Sequence, residues 1–142
     1  MKSSVKVCVR TRPTQFFAQD NIVIDELHST IQVSTALEEP TGVLNNRRDK
    51  FKFKFDHVFH NASQSSVYDL YARQTVQSVA DGINGSIMTY GQTGSGKTFT
   101  MMGDTANYEH RGIAARAINQ LFGEINSSLS RREGDIWSQL LL

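Results

Sequence analysis

Apolar and polar residues alternate along the first part of the chain in a way that is typical of β-strands. Residues 5–10 alternate valine with lysine, cysteine and arginine, and residues 51–55 alternate three phenylalanines with two lysines. Short β-branched runs at 22–24 and 30–33 predict two further strands. Because the phenylalanines share one face of their strand, we expect that strand to be half-buried. The polar residues 38–50, which include Pro and Gly, predict an exposed loop.

Helical spacing begins after these strands. Apolar residues between 67 and 83 recur about every 3.6 residues, which predicts a helix with one apolar face. Ser63 or Ser65 is suited to cap the N-terminus of this helix, and Gly82 and Gly85 are suited to end it.

In the second half of the chain, the pattern predicts a strand followed by helices. Residues 86–90 form an apolar run that predicts a short strand, and residues 97–102 can begin a helix. After a polar insertion at 103–110, apolar residues at helical spacing predict a second helix over 113–129. Strands followed by a helix, a strand, a loop and another helix predict an α/β domain with a central sheet.

The loop between the strand predicted at 86–90 and the helix predicted at 97–102 matches the phosphate-binding pattern G-x-x-x-x-G-K-[ST] at every specified position. Its residues are Gly91, Gln92, Thr93, Gly94, Ser95, Gly96, Lys97 and Thr98. In such a loop the backbone N–H groups surround the phosphates, Lys97 reaches the β- and γ-phosphates, and the Thr98 hydroxyl binds Mg²⁺. A glycine-rich hairpin without a ligand is the alternative, but the strand–loop–helix context favours a P-loop NTPase.

Composition narrows the function classes. The formal net charge of the 142 residues is +1, which gives no electrostatic case for a nucleic-acid partner. No apolar run has the length of a membrane span, and the N-terminus lacks the apolar core of a signal peptide, so we expect no membrane partner and an intracellular location. The single cysteine, Cys8, excludes an internal disulfide. His57 and His60 have no clustered ligands beside them and are interpreted as edge or surface residues.

Five motifs in order along the chain resemble the kinesin motor domain. They are Val9–Pro13, Phe55–Phe59, Gln64–Tyr68, Gly82–Met101 and Arg111–Ile113. The resemblance runs from about residue 5 to residue 129, and the stretch from Met101 to Ile113 is further similar to the cilium-associated kinesin-9 subfamily.

The resemblance implies a P-loop NTPase with the three-layer, kinesin-type fold around a central mixed sheet, incomplete at its C-terminal side. It implies ATP and Mg²⁺ as ligands, with the adenine packed against Arg10, Arg12 and Pro13. An arginine plane and a proline ring can hold a flat base by cation–π and apolar contact. Phe99 stands where many relatives have a histidine. The implied partner is the microtubule, whose main contact face would lie outside this segment, and the implied locations are the cytoplasm and cytoskeleton, including the cilium or flagellar axoneme.

Kinesins hydrolyse ATP with two switch segments, N-x-x-S-S-R-S-H and D-L-A-G-S-E, that lie downstream of the phosphate loop. No D-x-x-G occurs in this chain, and residues 126–131 imitate the first switch but have Leu129 in place of a serine. Residues 21–26, a short apolar run that ends in two acidic residues, imitate a metal-holding strand but precede the loop, and we interpret them as a strand followed by a turn. We therefore expect residues 1–132 to be the N-terminal part of a kinesin motor domain and residues 133–142 to be a divergent or truncated tail.

From this we assign no catalytic residue and expect no ATP turnover by the chain alone. Two alternatives stay open. Another P-loop NTPase, such as a kinase or GTPase, is disfavoured because the guanine-reading N-K-x-D is missing. A truncated, non-hydrolysing isoform or an interaction module is compatible with the kinesin interpretation.

Overall fold

The computed structural model describes residues 5–14, 17–34, 50–104 and 106–140, with side chains described as far as residue 130. The chain divides into two compact units, Met1–Ala62 and Ser63–Leu142. The loop predicted at 38–50 lies outside the described residues except for Lys50, which begins a strand.

The first unit contains two small sheets. Its strands are β1 (Cys8–Arg10), β2 (Ile22–Asp25), β3 (Thr30–Ser34), β4 (Lys50–Lys54) and β5 (His57–Phe59). Strands β1 and β5 are parallel, and β2, β3 and β4 form an antiparallel meander in that order. The four strands that the alternation predicts are therefore confirmed, although the first is shorter than expected. The sequence pattern missed β5, because three residues are too few to show a period.

One face of the meander is apolar. Ile31 lies opposite Phe53, and Val33 lies opposite Phe51, so these side chains share that face. Ile31 is buried, but Phe51 and Phe53 are 42% and 49% exposed. No residue of β4 is buried, so the phenylalanine face of this strand is covered less than the alternation predicted. Their strand, β4, is at the edge of the sheet, where a neighbouring strand covers it on one side only.

The segment at 21–26 forms a strand and a turn, as predicted. Strand β2 ends at Asp25, and the carboxylate of Asp25 accepts hydrogen bonds from the backbone N–H of His28 at 3.0 Å and from its ring at 2.7 Å. These two hydrogen bonds hold the pKa of Asp25 below its usual range, and the bond from the His28 backbone N–H has the larger effect. The Asp25 carboxylate therefore stabilises the turn between β2 and β3.

The second unit begins with the predicted helix. Ser63 is its N-cap, and the Ser63 hydroxyl accepts from the Ser66 backbone N–H at 3.1 Å. Helix α1 (Gln64–Val67) passes through a π-helical segment (Tyr68–Ala72) into α2 (Arg73–Ala80). Gly82, with φ +87°, follows the last turn. The predicted start and end are confirmed, and the π-helical segment was not expected.

The two later helices are also present. Helix α3 (Lys97–Met101) follows the glycine-rich loop, and α4 (Ile113–Leu140) continues beyond the predicted end at residue 129. The pattern underestimated α4 because serine is a weak helix former, yet the Ser127 and Ser130 hydroxyls bond to carbonyls of the preceding turn. The switch-like residues 126–131 lie inside α4 rather than after it. Among the described residues, no helix has the length and apolarity needed to cross a membrane.

The strand predicted at 86–90 is absent. Residues 83–90 belong to no helix or strand, and Met88 and Tyr90 are 86% and 99% exposed. A strand needs the hydrogen bonds of a neighbouring strand, and within the described ranges no ladder includes residues 86–90. The apolar run alone therefore predicted the wrong conformation for this segment.

Tyr68 joins the π-helical segment to α4. It is buried, and its hydroxyl donates to Oε1 of Gln120 at 2.6 Å. The Gln120 amide nitrogen in turn lies 3.4 Å from Oε1 of Gln77 in α2. Together with the buried side chains of Val67, Ala72, Val76 and Ile113, this polar chain fixes α4 against α2.

Replacing Tyr68 with phenylalanine removes the hydroxyl and leaves the partly buried Gln120 oxygen without its donor. We expect the free energy of unfolding to fall by about 1 kcal/mol. Urea denaturation would measure the change, with Tyr108→Phe as the control, because the Tyr108 side chain is exposed. Equal stability of the two variants would show that the Tyr68 bond contributes nothing net.

Candidate functional site

The glycine-rich loop turns tightly before α3. Gly94 and Gly96 have φ values of +79° and +97°, and Gly96, at ψ +17°, is the left-handed N-cap of α3. The Ser95 backbone N–H donates to the Gln92 carbonyl at 3.2 Å, which closes the turn. A Cβ at Gly96 would meet no atom within 4 Å, so the backbone conformation rather than crowding requires glycine there. Backbone turns of this kind form anion-binding concavities.

Lys97 folds back over the loop that precedes it. Its Nζ atom donates to the carbonyls of Gly91 and Gln92, each at 2.8 Å. The side chain is half-buried, so the ammonium group is held at the loop rather than extended into solvent. A phosphate oxygen that replaced these neutral carbonyls would give the same N–H donors a charged acceptor, which makes a stronger bond.

Thr98 is the second residue of α3 and is exposed. Its carbonyl accepts from the Met102 N–H at 2.8 Å and from the Gly103 N–H at 3.3 Å, which anchors the residue through its backbone. Within the described ranges, no three His, Cys, Asp or Glu side chains are grouped as a metal cluster would require. Mg²⁺ is commonly held by one or two protein oxygens together with substrate phosphates, and an exposed hydroxyl beside the loop fits that manner of binding.

The residues predicted to contact adenine lie in the first unit. Arg10 ends β1, is half-buried, and donates from Nη2 to the Ala62 carbonyl at 3.1 Å. Partial burial lowers the pKa of Arg10 from its ordinary value, but an arginine stays charged. Arg12 and Pro13 are exposed. These three residues belong to the first unit, whereas residues 91–98 belong to the second. The adenine contact therefore stays a prediction.

The glycine pattern did not predict how the far end of α3 is held. Gly103 and Arg111 form an isolated antiparallel bridge. Its bonds run from the Asp104 N–H to the His110 carbonyl at 2.9 Å and from the Gly112 N–H to the Met102 carbonyl at 3.0 Å. The insertion between α3 and α4 is thereby closed at its base. The sequence signal that could have predicted this bridge is the pair of glycines, Gly103 and Gly112, at the two ends of the polar insertion.

Comparison with known proteins identifies related sequences. The family model described as the kinesin motor domain matches residues 10–140. The kinesin-like protein KIF9 of Mus musculus is 46% identical over 121 residues, which are 85% of this chain and 15% of that protein. The kinesin-like protein KLP1 of Chlamydomonas reinhardtii is 40% identical over 126 residues, which are 89% of this chain and 16% of that protein.

A solved structure is similar as well. The structure of a fast kinesin superposes with a TM-score of 0.68 at 31% identity, over 87% of this chain and 34% of that one. The chain therefore spans about one sixth of the length of the curated relatives and about one third of the solved kinesin.

Proposed function

The chain belongs to the kinesin motor domain family, and from this premise we propose that it is the ATP-binding portion of a microtubule-based motor. The predicted P-loop NTPase fold and the resemblance to kinesin-9 are confirmed by the similar solved kinesin and by the KIF9 sequences. Because the chain spans a small part of these relatives, motor activity and track binding are proposed for the longer protein.

We propose that the phosphates of Mg-ATP bind at residues 91–98. The position of Lys97, folded over the loop with Nζ 2.8 Å from two backbone carbonyls, is the observation that carries this proposal. Lys97 would exchange these carbonyls for the β- and γ-phosphate oxygens, and the Thr98 hydroxyl would ligate Mg²⁺. The metal would supply charge neutralisation at the transferring phosphate.

We also propose that Arg10, Arg12 and Pro13 contact the adenine. The exposure of Arg12 and Pro13 supports this role, because an exposed guanidinium and an exposed ring can cover a base. Replacement of these residues would weaken the binding of adenine nucleotides and leave the binding of inorganic pyrophosphate unchanged.

In the longer protein, hydrolysis and release of the γ-phosphate would change the switch segments and so the grip on the microtubule. The 142 residues contain no D-x-x-G, and we propose that this part binds nucleotide without cleaving it. The likeness to the kinesin-like protein KIF9 supports a cytoskeletal location. From the resemblance to the kinesin-9 subfamily we propose the cilium or axoneme.

Calorimetric titration with Mg-ADP tests the binding site, and ATP turnover with and without microtubules tests the motor. We expect the 142-residue chain to bind Mg-ADP but not to hydrolyse ATP. A chimera that continues into the rest of the KIF9 motor domain is expected to hydrolyse ATP faster on microtubules. Turnover by the short chain would overturn the non-hydrolysing proposal, and a chimera insensitive to microtubules would overturn the motor proposal.

A further inference from the structure

Helix α3 carries Lys97 and Thr98 but cannot hold its own position. It has five residues, and helices shorter than about 12–15 residues are marginal by themselves in water. None of its residues is buried. The placement of the two phosphate-site side chains must therefore come from contacts that α3 makes with other segments.

Gln64 makes such a contact. It is the first residue of α1, and its side chain is 3% exposed in a unit whose other buried side chains are mainly apolar. Its Nε2 atom donates to the Phe99 carbonyl at 2.6 Å and to the His110 carbonyl at 3.2 Å. A primary amide has two N–H donors, and the two acceptors come from segments 35 and 46 residues away in sequence.

The two acceptors have related positions. Phe99 is the central residue of α3, directly after Thr98. The His110 carbonyl also accepts from the Asp104 N–H at 2.9 Å and so belongs to the bridge that closes the end of α3. The Gln64 amide therefore joins the middle of α3, the bridge behind it and the N-terminus of α1.

We propose that Gln64 is a positioning residue for the phosphate loop. The proposal rests on the nucleotide site at residues 91–98. Gln64 touches no ligand; it acts through the Phe99 carbonyl, which holds α3 in the orientation that presents Lys97 and Thr98. Without the amide, the Phe99 and His110 carbonyls lose this buried donor, and the direct bond from α1 to the middle of α3 is lost.

The test replaces Gln64 with methionine, which keeps the length of the side chain and removes the amide. We expect the Kd for Mg-ADP to rise about tenfold. Without nucleotide, we expect the Met102 and Asp104 amides, which bond to the Thr98 and His110 carbonyls, to exchange hydrogen about tenfold faster. The matched control is Gln77→Met in α2, which is expected to leave the Kd and both amides unchanged.

A third measurement uses the unaltered chain, so it tests the proposal even if the Gln64→Met variant does not fold. Because coupling between two sites is reciprocal, saturating Mg-ADP should slow exchange of the Gln64 Nε2 hydrogens relative to those of Gln77. A purely structural role for Gln64 predicts no such slowing. An unchanged Kd in a folded Gln64→Met chain, or no effect of Mg-ADP on Gln64, would overturn the proposal.

Failure of the underlying site would look different. If the unaltered chain bound no Mg-ADP, the proposed nucleotide site would be wrong. The exchange rates of Met102 and Asp104 without nucleotide would then decide alone whether Gln64 holds α3. Unchanged rates in Gln64→Met would overturn that role too.

Discussion

Replacing Lys97 with alanine is expected to weaken the binding of Mg-ADP to this chain by about 10- to 150-fold. The range corresponds to the loss of a hydrogen bond to a charged group, about 1.5–3 kcal/mol. In the structure the ammonium group already lies at the loop, with Nζ 2.8 Å from the carbonyls of Gly91 and Gln92. Its position is therefore set before the nucleotide arrives, and little ordering of the side chain opposes binding. Calorimetric titration of both chains measures the difference.

The matched control for Lys97→Ala is Lys54→Ala. Lys54 is exposed at the end of β4 and carries the same charge. Its removal should change the Kd by less than twofold, since interactions between exposed charges are screened. The thermal stability of Lys97→Ala should stay close to that of the unaltered chain, because the two carbonyls it releases lie in a loop with exposed residues. Equal Kd values for the two variants would mean that Lys97 does not contact the phosphates.

Local sequence patterns predicted the parts of this fold that depend on neighbouring residues. The cap at Ser63, the end of the helix near Gly82 and the tight loop before Lys97 each follow from one residue type and its backbone preference. For the same reason, the strand-to-turn interpretation around Asp25 is confirmed. The backbone shape of the loop at 91–96 belongs to this class, because its glycine pattern specifies that shape, while phosphate binding there is a proposal.

The predictions that failed depended on distant partners. Residues 86–90 have the composition of a strand, but hydrogen bonds from a neighbouring strand decide whether a strand forms. The alternation at Phe51 and Phe53 gave the correct shared face, whereas their exposure depends on what covers the edge strand. The contact from Gln64 to Phe99 joins segments 35 residues apart. No periodicity signals such a contact, so the positioning of α3 could not be read from the sequence.

Replacing Gly103 with alanine is expected to lower the free energy of unfolding by about 2–5 kcal/mol. Gly103 has φ +71°, a left-handed conformation that costs a residue with a Cβ about 1–2 kcal/mol. The new Cβ would also clash with the His110 carbonyl oxygen and the Gly112 nitrogen. Overpacking of this kind costs a further 1–3 kcal/mol or so. Both neighbours are backbone atoms, so no rotation of a side chain can relieve the clash.

The matched control is Gly123→Ala, because a Cβ at Gly123 in α4 would meet nothing within 4 Å. There alanine should stabilise the chain by about 0.5–1 kcal/mol, since glycine weakens a helix interior. The same chemical change is thus expected to have opposite signs at the two positions, measured by urea denaturation. Because the Gly103–Arg111 bridge closes the end of α3, Gly103→Ala should also weaken Mg-ADP binding in the chain that remains folded. An alanine at 103 that left both stability and affinity unchanged would mean that this bridge does not hold the phosphate-loop helix.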